Sequence, residues 1–166
     1  MKHRHSAALI ITAGLFAAGV VAPADALPGG SATERCTGFH ARGVGSDDGA
    51  GNTTATLYRG RREFATSVGT LVLGVADPVT LVAPFTGTIV LTNDLGTLTA
   101  PVEGTVDTVS GDFAAVSTDV TGTDGYVDTT GALRFRGTED LTTLTFTEHV
   151  YGKFCVPKVK KDKKTH

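Results

Sequence analysis

Five times the chain repeats a glycine, a small residue that is usually threonine, and an aliphatic residue: Gly69-Thr70-Leu71, Gly87-Thr88-Ile89, Gly96-Thr97-Leu98, Gly104-Thr105-Val106 and Gly131-Ala132-Leu133. Glycine at such density breaks helices, whereas threonine and the branched aliphatics pack well on a pleated surface. The starts at Gly87, Gly96 and Gly104 lie 9 and 8 residues apart. That is the spacing of consecutive antiparallel strands joined by tight turns, and Asn93-Asp94 and Ser110-Gly111-Asp112 supply the turn residues. No amphipathic helical period interrupts the pattern after Thr53. The sequence predicts strands at about 53–58, 63–74, 86–92, 95–100, 102–109, 113–121, 131–137 and 142–154.

The faces of these strands sort by parity. Ile89 and Leu91, Val102, Gly104 and Val106, Leu133 and Phe135, and Leu144 and Phe146 share one side. Thr88 and Thr92, Glu103 and Asp107, Arg134 and Arg136, and Thr143, Thr145 and Thr147 share the other. An apolar interior and a solvated outer face of threonine and charge follow.

The segment Thr118–Phe135 concentrates the turn chemistry, with Gly122, Gly125 and Gly131 between the β-branched Val120-Thr121 and the alternating Ala132-Leu133-Arg134-Phe135. Its Val120-Thr121-Gly122, Gly125-Tyr126 and Gly131 resemble the Val-Thr-Gly-Gly-x-Gly-x-Phe-x-Gly-x-x-Gly segment of the allene oxide cyclase and dirigent β-barrel superfamily. The likeness continues through Gly87-Thr88-Ile89 and Gly96-Thr97-Leu98 and spans roughly the C-terminal two-thirds of the mature chain. It departs at Thr123-Asp124, where that family often has Gly-Ser or Gly-Thr, and by a residue fewer before Gly131. Small bacterial secreted proteins of this type, with a cysteine near each end, are the nearest likeness.

Periodicity alone leaves a Greek-key β-sandwich and a barrel equally open, since both alternate inward and outward residues. The resemblance implies the second: an all-β, single antiparallel barrel of about eight strands, closed or nearly closed, over residues 53–156. Closure also removes the edges that so threonine- and valine-rich a sheet would expose.

Residues 1–26 have the plan of a secretory signal peptide, with Lys2, His3 and Arg4 ahead of the apolar run Ala7–Val21 and Ala24-Asp25-Ala26 as the cleavage site. Cleavage after Ala26 predicts a secreted protein, and the alanine-rich leader reads as bacterial export. The mature chain then has 13 basic and 16 acidic residues, a net charge of −3. Lys158, Lys160, Lys161, Lys163 and Lys164 crowd the last nine residues against Asp162 alone, so the tail carries +4 and the body −7. An acidic body excludes a nucleic-acid-binding face. The tail, 157–166, is predicted to be a disordered basic end, with weak contact of Lys158–Lys164 to an anionic surface as its functional alternative.

Cys36 and Cys155 are the only cysteines, and an isolated pair in an exported chain is expected to be bridged. Ahead of the strands, residues 27–52 are rich in Gly, Ser and Ala without period, which predicts a flexible segment with a short ordered piece around Cys36. The acidic loop Ser46–Asn52 lacks the calcium-loop spacing, with Tyr58 where such a loop needs its bidentate glutamate.

Catalytic patterns are missing. No zinc spacing links His40, His149 and His166, no nucleophile elbow is present, and no glycine loop joins a strand to a helix, so no metal and no cofactor is expected. The resemblance implies two roles: a secreted barrel that binds a small apolar ligand or is purely structural, or a cofactor-free isomerase or dirigent-type lumen. Phe135, Leu144, Phe146 and Glu148 are the lumen candidates. Glu148 is the one acid on the apolar parity of the last strand, so register turns its carboxyl inward, to shift its pKa or to pair with Arg59 or Arg61. A bulge or a rim position, the commoner outcome at a strand end, would instead turn it to water.

Overall fold

The computed structural model describes residues 34–157. The leader 1–26, its cleavage after Ala26, and the lysine tail Lys158–Lys164 lie outside the described residues. The rest is strand: β1 (Glu34–Asp47), β2 (Asn52–Arg59), β3 (Arg62–Leu73), β4 (Val82–Asn93), β5 (Gly96–Asp107), β6 (Asp112–Ser117), the two-residue β7 (Thr121–Gly122), β8 (Thr130–Asp140) and β9 (Thr145–Pro157). A single 3-10 turn, Asp124–Tyr126, lies between β7 and β8.

Each long strand pairs antiparallel with its chain neighbour, β4 pairs β5, and β9 returns to pair β1, which closes an eight-stranded barrel with β7 as an extra strand. Sequential neighbours pair throughout, so the connection is up-and-down and the Greek-key sandwich is not the fold. Two ends follow from this topology. At the first are both limits of the described chain, the β2–β3 and β4–β5 turns and the long β6–β8 connection; at the second are the β1–β2, β3–β4, β5–β6 and β8–β9 loops.

The strand bounds need correcting at several places, and the strand expected at 113–121 is two pieces, β6 against β5 and β8, and β7 against β5 alone. Residues 34–47, expected to be flexible apart from a piece at Cys36, form β1, and its ladder with β9 runs unbroken from Glu34↔Pro157 to Ser46↔Thr145. Conversely, the two strands expected at 95–100 and 102–109 are one, β5. Pro101 fits there because β6 pairs β5 at Glu103–Val106 and β7 pairs it at Leu98–Thr99, so Pro101 falls between the ladders where no strand on that side needs its N–H. The last strand also begins at Thr145 rather than 142.

The barrel is packed by a rule visible in its register. An inward glycine on one strand faces a large inward side chain on the next: Gly69 faces Ile89, Gly87 faces Leu71, Gly104 faces Phe85 and Gly45 faces Phe146. A Cβ on Gly104 would lie 2.5 Å from the Phe85 ring and one on Gly45 2.6 Å from Phe146. The repeated Gly-Thr-aliphatic triplet is the signature of this packing. Glycine makes room inward, threonine points out, and the aliphatic residue fills the room its neighbour leaves.

The first end of the lumen is filled. Leu57, Leu98, Leu133, Val102, Val120 and Val150 are essentially inaccessible, and Tyr126 is buried with its hydroxyl accepting a hydrogen bond from Asn93 Nδ2 at 2.8 Å. The Tyr126 ring meets Phe154 edge-on at 5.7 Å, and Arg59 stacks over Phe64 with its guanidinium carbon 3.9 Å from the ring centre. Cys36 and Cys155 face each other directly in the β1–β9 ladder and are disulfide-bonded. The bridge is consistent with an oxidising environment.

Candidate functional site

Three of the four loops at the second end are the same turn. Asp77, Asp107 and Asp140 each begin one, and their Oδ1 accepts the N–H of the residues two and three further on, at 2.8–3.2 Å. Each aspartate carbonyl then accepts the N–H of the fifth residue: Leu81, Gly111 and Leu144. That residue is left-handed in all three, at φ 58°, 76° and 54°. The sequence signal is Asp-x-(Val/Thr)-(Ser/Thr), three times over, and sequence reasoning missed it. The N–H donors hold these carboxyls below the ordinary aspartate range, as the Asn52 amide and backbone N–H groups do for Asp48 in the remaining loop. The rim is therefore anionic at any pH above the ordinary carboxylate range.

Inside that rim the barrel opens into a cavity of about 180 Å³. Its wall is apolar, with the rings of Phe85, Phe113, Phe135 and Phe146 among Leu71 and Ile89. Glu148 also lines it, 5% exposed. The β9 ladders to β1 and β8 pass through Glu148 without a bulge, so parity holds and the carboxyl faces inward. The rim alternative is overturned.

Glu148 pairs Gly43 of β1 and Gly137 of β8; Gly43 makes the room for its side chain, and Gly137 the room for the Phe113 ring. A Cβ on Gly43 would lie 2.5 Å from Glu148 Cγ, 2.7 Å from its Oε1 and 2.9 Å from Leu57 Cδ2. A Cβ on Gly137 would strike the Phe113 ring at 2.5 Å. The carboxyl thus lies in a slot over the β1 backbone, between aromatic walls. Gly43→Ala is expected to cost about 1–3 kcal/mol in urea denaturation. Combined with Glu148→Ala the cost should shrink, because the atom the new methyl strikes is gone; simple additivity would contradict the slot.

Among the described residues no hydrogen-bond donor or cation reaches the Glu148 carboxyl. Arg59 is stacked on Phe39 and Phe64 at the opposite end and Arg61 lies in the exposed β2–β3 turn, so neither pairs with it. Burial alone pushes its pKa from 4.5 up to about 7. Asp47 and Glu139, the inward residues at the ends of β1 and β8, complete the mouth, and burial followed by the repulsion of Asp47 raises the Glu139 carboxyl as well.

Of the lumen candidates, Phe135, Phe146 and Glu148 come together in this cavity. Leu144 does not. It is the left-handed residue of the Asp140 turn, and its side chain packs toward Gly49 in the β1–β2 loop. Phe85, Phe113, Asp47 and Glu139 complete the site and were not anticipated; their parity was readable, but their convergence depends on strand register. Among the described residues, the one cluster with metal-ligand proximity is Glu34, Cys36 and Cys155, whose sulfurs are bonded to each other. A wider hollow of about 670 Å³ at the filled end is open and bordered by Arg35 and Pro157, close to the limits of the described chain. It contains no buried, unpaired polar group.

No protein-family model matches the chain, and no curated protein matches it.

Proposed function

We propose that the protein is an exported barrel that holds a small apolar molecule in its lumen without transforming it. The observation that carries this reading is the cavity itself: aromatic on its walls, open at one end, and fitted with a single buried polar group. Small-molecule sites combine a mostly apolar lining with a few fixed polar groups that set orientation. A volume of about 180 Å³ suits a compact ligand, since a dry apolar cavity of about 150 Å³ admits benzene. The likeness of the Thr118–Phe135 segment to the allene oxide cyclase and dirigent barrels supports the same reading, as those barrels work through a shaped apolar lumen. Export is supported by the leader-like residues 1–26 and by the Cys36–Cys155 bridge.

One observation favours a cofactor-free isomerase as the second reading: a carboxyl that titrates near pH 7 is poised for proton transfer. Acid–base work on a bound ligand also needs a group to stabilise the charge that develops. Beyond Glu148 the cavity wall offers only the hydroxyls of Thr53 and Thr108 and the acids Asp47 and Glu139 at the mouth, with no cation among them, so binding is the better-supported function.

The test is toluene titrated into the isotope-labelled protein. Saturable chemical-shift changes confined to Ile89, Phe135, Phe146 and their neighbours are expected. Shifts that do not saturate, or that scatter over the outer face, would sink the reading.

A further inference from the structure

We propose that the ligand of this lumen is a small hydrophobic amine, bound as its ammonium ion with the nitrogen on Glu148 and the apolar body against the phenylalanine rings. The inference rests on the lumen-binding reading and adds the charge of the ligand. Glu148 is nine-tenths buried or more, aimed into the cavity, and unpartnered among the described residues. Such a carboxylate is costly to keep unless something compensates it, and nothing in the chain around it does. Two of its neighbours toward solvent, Asp47 and Glu139, are also acids, and Glu139 already feels the charge of Asp47.

The rest of that end has the same sign. Asp48, Asp77, Asp107 and Asp140 ring the opening, each held ionised by its own turn. The basic side chains of the described residues lie at the other end or on the outer face, as with Arg59, Arg62, Arg134 and Arg136. An anionic ligand such as a fatty acid would meet repulsion along the whole approach, and a neutral one would leave Glu148 uncompensated. A cation is drawn inward by the rim, and the ring faces of the aromatic wall add cation–π attraction. The loop tips beside the acids are aliphatic, with Val75 93% and Val79 87% exposed and Leu73 and Leu141 at the lip. The entrance therefore matches both halves of an amphipathic amine.

Proton linkage gives the inference its signature. The titratable groups facing the cavity are Glu148 on β9, Asp47 on β1 and Glu139 on β8; the other strands present apolar residues and the threonines Thr53 and Thr108. An ammonium ion favours the ionised form of all three, so binding releases protons and tightens as pH rises. With Glu148 titrating near 7, affinity should be about 100-fold weaker at pH 5 than on a plateau near pH 8.

Benzylamine, toluene and benzoate, nearly equal in shape and different in charge, are titrated into the intact protein from pH 5 to 8.5. Benzylamine is expected to bind tightest, with that pH dependence. Glu148→Gln should abolish both its preference over toluene and most of the pH dependence, while toluene still binds. Toluene binding as tightly as benzylamine, or benzoate binding tighter, overturns the amine and leaves lumen binding intact. If none of the three gives saturable shifts in lumen residues, the lumen reading falls and the amine with it.

Discussion

Glu148→Gln is expected to make the protein more stable at pH 8 and to change little at pH 4. Burial raises the folded-state pKa of Glu148 from 4.5 to about 7. Between these values the folded chain binds more protons than the unfolded one, so stability falls as pH rises, and above about pH 7 the full penalty is present. At about 1.4 kcal/mol for each pH unit between the two values, the penalty is at most about 3–4 kcal/mol. Glutamine keeps the shape without the charge and escapes it. The turn aspartates act with the opposite sign and in another range. Their depressed pKa values contribute stability that is present above the ordinary value of 3.8 and lost only as pH falls below it. Glu139 is raised as well, by burial and then by Asp47, but it is more exposed and common to both proteins, so the difference between wild type and variant isolates Glu148. Urea denaturation from pH 4 to 8 provides the check. A variant less stable than wild type at pH 8 would mean that the carboxylate has a partner.

The second large effect belongs to the bridge. Replacing both Cys36 and Cys155 by alanine is expected to cost about 2–5 kcal/mol. The cysteines are 119 residues apart, so the bridge ties nearly the whole described chain into one loop, and its loss lets the unfolded chain expand. The urea m-value should rise along with the fall in midpoint, because a freer unfolded chain exposes more surface. Toluene binding should survive under native conditions, since the bridge lies at the filled end and the cavity at the other. An unchanged midpoint would show that the β1–β9 ladder holds the chain ends without help.

Much of this was legible in the sequence, and the exceptions share a physical cause. Thr53 onward reads as strand because threonine and branched aliphatics alternate there, and the parity of Phe146, Glu148 and Val150 is enough by itself to point Glu148 inward. β1 is illegible for the same reason that the site exists. Its inward positions include Ala41, Gly43 and Gly45, kept small because Glu148 and Phe146 of β9 lie over the two glycines, so the alternation that marks a strand is erased. Pro101 and the glycines on either side of it make one strand look like two, because a missing ladder partner is invisible locally. Leu144 keeps the parity of β9 but belongs to the Asp140 turn, where a backbone bond and a left-handed φ, rather than strand alternation, decide its direction. The cavity itself needs register. Gly43 and Glu148 are far apart in the chain and become one slot only when β1 and β9 are paired.

A carboxyl in that slot, unpaired and facing an apolar lumen, is the central claim, and the amine rests on it. Its most direct test is the carbon-13 titration of the Glu148 side-chain carboxyl in the ligand-free protein. A midpoint near pH 7 is predicted, shifted downward on adding benzylamine and left in place by toluene. A midpoint near the free-peptide value of about 4.3, indifferent to benzylamine, would contradict it.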